Sequence, residues 1–125
     1  MSHPAMYCRP DKWAIMKVLV SNGTVLYKVL AGRRGGFLDG DSWRINSGIV
    51  DIHDAGDELV FHGYSGSTYV CHKSAYGATP LSNSVFQNLR TQAEAEGVQL
   101  ELLDEQVALS LEWFQQTEQP RPRCN

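Results

Sequence analysis

The chain has 125 residues, a net charge of -3, 42% hydrophobic and 20% charged residues, the balance of an ordinary soluble domain. That length suits one domain, able to bury roughly two-thirds of its unfolded surface without metal or disulfides. Residues 1–60 carry seven bases against seven acids and the rest four against seven, so no basic field awaits a nucleic-acid backbone. No apolar run approaches the roughly 20 residues of a membrane span, and the start lacks a signal peptide's apolar core. A cytoplasmic setting is expected. Cys8, Cys71 and Cys124 cannot all pair within one chain, which argues for free thiols in a reducing compartment.

In chain order, residues 1–12 hold two prolines and little periodicity and are expected to be a flexible arm. Residues 13–20 are an apolar-rich strand, and Asn22-Gly23 is a strong hairpin signal. Residues 24–31 return with Val25, Tyr27 and Val29 on one face and Leu26, Lys28 and Leu30 on the other. Apolar residues on both faces predict a central strand. Residues 32–40 hold four glycines around Arg33, Arg34 and Phe37 and read as a loop. Residues 42–52 are extended, with a bulge or bend at Gly48, and residues 54–57 turn the chain back.

Residues 59–72 read as a hairpin through Tyr64-Ser65-Gly66-Ser67. With Ser65-Gly66 as the turn pair, His62 faces Tyr69, Val60 faces Cys71 and Leu59 faces His72. Val60, His62, Tyr69 and Cys71 then share one face, and Leu59, Phe61 and Val70 the other. The second face is the natural core side; the first is where a site is expected.

Thr79-Pro80 or Ser82 opens a helix, Val85, Phe86, Leu89 and Ala93 recur at helical spacing, and Gly97 ends it. Residues 98–103 alternate as a strand. Residues 107–113 alternate too, yet Asp104 could cap a helix with Val107, Ala108, Leu111 and Phe114 on its buried side, and the composition favours that. On the helical reading Leu109 and Trp113 form a second apolar stripe, the expected interface with another subunit. On the strand reading they join the core. Residues 117–125, with Pro120 and Pro122, are a flexible tail.

The expectation is one α+β domain over residues 13–116: an antiparallel sheet of five or more strands, with one or two C-terminal helices packed on one face. No catalytic set, cofactor motif or short metal-ligand pair stands out. Gly40-Asp41-Ser42 resembles the nucleophile block of one esterase superfamily, but no histidine follows His72 to serve as its base. His53, His62, Cys71 and His72 lack the spacing zinc wants. A ligand site is expected to be lined by His62, Tyr69 and Trp43, with Arg33, Arg34 and Arg44 at its rim. Three readings follow. The first is a non-enzymatic small-molecule-binding or protein-interaction module that self-associates as a homodimer or higher. The second is a small hydrolase or transferase using His62 with Cys71 or Ser42. The third is single-stranded nucleic-acid binding through the three arginines.

Two segments, Leu30 to Ile49 (LAGRRGGFLDGDSWRINSGI) and Phe61 to Gly77 (FHGYSGSTYVCHKSAYG), resemble uncharacterised small bacterial proteins carried on integron gene cassettes. The resemblance implies a bacterial cytosolic, often oligomeric protein, and carries no catalytic residue over.

Overall fold

The structure, a computed structural model, describes residues 7–35 and 40–114. Strand β2 (Lys12–Leu19) pairs antiparallel with β3 (Val25–Arg33), and both are apolar on each face, so each must be covered twice. Trp13, Ile15, Val29 and Ala31 point one way and Met16 and Leu30 the other. The two strands are accordingly the middle layer of the molecule, and β3 is the central strand that the patterning of residues 24–31 predicts.

On one side lies a first sheet, in the order β1 (Tyr7–Cys8), β7 (Thr68–His72), β6 (Glu58–Gly63), β5 (Ile49–Asp54). The sheet containing β2 and β3 runs β4 (Ser42–Ile45), β3, β2, β8 (Gln99–Leu102). Its other face is covered by helix α1 (Pro80–Ala95), whose Phe86 meets Met16 and Leu30. A short helix, α2 (Glu105–Ser110), closes the inter-sheet core with Ala108. The α+β class holds. Among the described residues the expected single sheet is instead two four-stranded sheets, antiparallel except where β1 runs parallel to β7. Gly48, at φ +137°, lets the chain leave the second sheet after β4 and enter the first as β5.

Local chemistry accounts for the helix. Thr79 accepts a hydrogen bond from the Ser82 backbone while Ser82 accepts one from Thr79, and Pro80 follows the cap. Val98 N–H bonds Ala93 C=O and Gly97 N–H bonds Glu94 C=O around Gly97 at φ +79°, which stops the helix. The capping residues Thr79 and Ser82 are buried against β3, and a Cβ on Gly32 would lie 2.8 Å from Thr79 Cγ2. Gly32 is therefore a strand residue that admits the helix, not the start of a loop.

Tyr76 joins the layers. Its hydroxyl accepts from Ile15 N–H (3.0 Å) and donates to Leu103 C=O (2.6 Å), while Leu103 N–H bonds Ile15 C=O (2.9 Å). A side chain thus completes the ladder between β2 and the strand leaving β8.

Three further expectations are corrected. The β2–β3 and β6–β7 hairpins use three-residue loops with glycine third: Val20 N–H bonds Thr24 C=O around Gly23, and Gly63 N–H bonds Ser67 C=O around Gly66. The β6–β7 register is therefore His62 to Thr68, Phe61 to Tyr69 and Leu59 to Cys71, one residue off the predicted pairing. Within the expected arm, Tyr7 and Cys8 pair with β7, Cys8 is buried, and Asp11 N–H bonds Gly32 C=O; residues 1–6 lie outside the described residues. Lastly, α2 ends at Leu111 in the left-handed conformation (φ +60°), which swings Trp113 back into the core. Its indole N–H donates to Ala108 C=O, its ring lies 4.7 Å from Tyr27, and Leu109 packs against the same cluster. Neither residue is the exposed stripe expected of an interface. The predicted tail, residues 117–125, lies outside the described residues.

Candidate functional site

The corrected register redistributes the expected site. His62 is half-buried on the outer face of the first sheet, its Nδ1 3.4 Å from Thr68 Oγ1, with Asp51 as its neighbour on β5. Tyr69 and Cys71 point the opposite way, into the core beside Phe61 and Leu59. Burial pushes the Tyr69 phenol and the Cys71 thiol up from their ordinary values. His62 and Cys71 thus stand on opposite faces of one sheet, and Ser42 is an exposed residue of the other. His53 is exposed opposite Val60, and His72 Nδ1 accepts from Ser74 N–H (3.2 Å). Among the described residues no three His, Cys, Asp or Glu side chains are placed to hold a metal ion.

The arginines divide as well. Arg44 lies opposite Ala31 and Ser42 opposite Arg33, so Arg33 and Arg44 occupy the face turned toward the first sheet. Their charge favours the Cys8 thiolate there, yet burial outweighs it and the thiol sits above its ordinary value. Trp43, opposite Gly32, is on the α1 side, and Arg34 is exposed with its backbone N–H on Asp11 Oδ2 (2.7 Å). Trp43 and the Arg33–Arg44 pair therefore face different ways, and His62 is on the far side of the molecule's other sheet. Phe37 lies outside the described residues.

A different concavity has the character of a binding site. A cleft of about 310 Å³ opens where the ends of the two sheets meet. Val25, Leu26 and Tyr27 of β3 form one wall, Ser47 and Gly48 of the crossover with Ile49 and Val50 of β5 the second, and Tyr64 and Phe114 the lips. The walls are tied together. Ser65 N–H donates to Ser47 Oγ (2.9 Å), the two serine hydroxyls are 3.1 Å apart, and Tyr64 N–H donates to Gly48 C=O (2.8 Å). The β6–β7 turn is thereby pinned onto the crossover, and Tyr64 is left 81% exposed at the rim with Val50 and Leu26. Concentrated exposure of large apolar side chains around a concave surface is a binding signature.

Beneath this wall the packing is polar. Asn46 and Val29 exchange backbone and side-chain bonds, Asn46 N–H to Val29 C=O (3.1 Å) and Val29 N–H to Asn46 Oδ1 (2.9 Å). Asn46 Nδ2 and Ser67 Oγ are buried without a partner in the described protein, and both crowd Gly63. A Cβ there would meet Ser67 Oγ at 2.7 Å and Asn46 Nδ2 at 3.3 Å. Two more concavities flank α1: one of about 730 Å³ against β8, and one of about 350 Å³ against Met16, Val18 and Ile45.

The sequence reading did not pick out the 310 Å³ cleft. The available signal was Tyr64 within a turn and Val50 beside a glycine bend, large apolar residues where no core can reach them. Comparison with protein-family models, with curated proteins and with solved structures finds no match.

Proposed function

We propose that the protein is a non-enzymatic binding module that takes a small, largely apolar or aromatic molecule in the cleft between the sheet ends, and that it self-associates. The cleft carries this reading. Its size is at the lower end of small-molecule sites, its walls are held by hydrogen bonds before any ligand arrives, and its lining offers stacking and dispersion rather than acid–base chemistry. The separation of His62 from Cys71 and Ser42 weighs against the hydrolase or transferase alternative, which needs two of them within hydrogen-bond reach. Nucleic-acid binding is weakened in the same way, since a stacking ring and the cations should share one groove. Among the described residues no helix is long and apolar enough to cross a membrane, and Cys8 and Cys71 are free thiols. Both observations fit the cytosolic setting implied by the resemblance to integron-cassette proteins.

The test is a fluorescence titration with the dye anilinonaphthalene sulfonate, repeated on Val50→Arg, a rim change at a residue 52% exposed. Saturable enhancement weakened at least several-fold by the arginine supports the cleft. Enhancement indifferent to it places binding elsewhere and removes the reading.

A further inference from the structure

Strand β8 ends the second sheet, and the hydrogen-bond pattern says which of its backbone groups are spent. Leu103 N–H bonds Ile15 C=O, and β8 pairs antiparallel with β2 through Lys17–Glu101 and Leu19–Gln99. Bonded pairs alternate along an antiparallel ladder, so Gln99 and Glu101 direct their groups at β2. Leu100 and Leu102 direct theirs outward, at the open edge. Beside that edge runs the 730 Å³ groove, floored by Phe86, Val98, Leu100 and Leu102 and rimmed by Arg90 and Glu94. Such a groove accepts an added strand that is apolar at alternate positions.

We propose that the occupant is β8 of a second copy, antiparallel across a two-fold axis at Leu100; this specifies the self-association in the reading above. Residues 98–102 are themselves apolar at alternate positions, with Leu100 and Leu102 on the α1 side, so the strand has the pattern its own groove requires. Register decides between pairings. Leu100 opposite Leu102 of the second copy would bring the two Glu101 carboxylates face to face, which is unfavourable. Leu100 opposite Leu100 instead sets Gln99 against Glu101 and Val98 against Leu102. In that register the two Leu100 residues exchange hydrogen bonds, and each Leu102 N–H reaches a Val98 carbonyl. The rim's Arg90 and Glu94 pair with each other along α1 (3.8 Å), so the rim presents no net charge to repel a second copy across a two-fold axis. The other described edges suit pairing less: β1 has two residues, β4, at the opposite edge of the second sheet, does not border the 730 Å³ groove, and β5 is broken by a register shift between Ile49 and Asp51 and carries Asp51 and Asp54.

The test is sedimentation velocity over a concentration series of the full chain, with Gln99→Glu and Gln99→Lys. Both substitutions fall on an exposed side chain two strands from the nearest cleft residue, Val25, so the fold and dye binding at the cleft should be retained. The wild type is expected as a dimer, twice the 13.9 kDa chain mass. Gln99→Glu sets two like-charge pairs across the axis and should weaken dimerisation roughly 2- to 30-fold, while Gln99→Lys creates two opposite-charge pairs and should tighten it by a similar factor. A monomeric wild type overturns both the strand pairing and the self-association. A dimer that responds alike to Glu and Lys overturns the pairing alone. Dye binding, read separately, reports on the cleft whatever the mass.

Discussion

Tyr76→Phe removes one oxygen from a ladder that the hydroxyl completes. In the wild type that oxygen accepts from Ile15 N–H and donates to Leu103 C=O. Phenylalanine keeps the ring, and with it the edge-on contact to Trp13 at 4.8 Å, so packing is held constant. What is lost is a partner for one buried donor and one buried acceptor, each costing about 1–3 kcal/mol when stranded. Partial closure of the gap by the backbone recovers some of this, and about 2–4 kcal/mol is expected, a large share of a typical 5–15 kcal/mol stability. Urea unfolding followed by circular dichroism and tryptophan emission should show a lower midpoint with an unchanged slope. A loss below about 0.5 kcal/mol would mean that Ile15 and Leu103 pair directly, and the bridging role would be refuted.

Burial pushes the same phenol up to about 12, with the Ile15 hydrogen bond opposing. The unfolded chain then releases this proton at lower pH than the folded one, so the stabilisation is complete below about pH 10 and is lost as pH rises toward 12. Denaturation midpoints measured between those values should fall less steeply in Tyr76→Phe, though Tyr69, also raised, retains part of the slope. Gly32→Ala should destabilise by about 1–3 kcal/mol, because its Cβ meets the buried Thr79 side chain at 2.8 Å; a thermal melt indistinguishable from wild type would contradict the docking of the helix cap. Trp113→Ala should cost about 3–5 kcal/mol and leave the dimerisation constant of the folded protein unchanged, since the indole is 95% buried within one chain rather than between two. A subunit mass that fell without loss of stability would return Trp113 to the interface.

The patterning of β2 and β3, the Thr79 cap, the Gly97 stop and the Asp104 cap were legible because each is a local signal with a local cause. Leu59 and Phe61 were legible as core residues for the same reason. The site was not. Its assignment depended on loop length in one hairpin, and a glycine in third place of a three-residue loop is written with the same letters as a glycine in a two-residue one. That single residue carried Tyr69 and Cys71 from the expected binding face into the core. Division into two sheets turned on Gly48, where composition reveals a bend but not which layer the chain enters next. Trp113 was misplaced because Leu111 adopts a left-handed conformation that costs a non-glycine residue about 1–2 kcal/mol, and only burial of the indole beyond it makes that worthwhile.

The cleft can be tested most directly by amide-resolved NMR during titration with millimolar indole. Progressive, saturable shifts confined to Val25 to Tyr27, Gly48 to Val50, Tyr64 and Phe114 are the predicted result. Shifts centred on His62 and Trp43 instead, or an unchanged spectrum at saturation of the probe's solubility, would contradict the account.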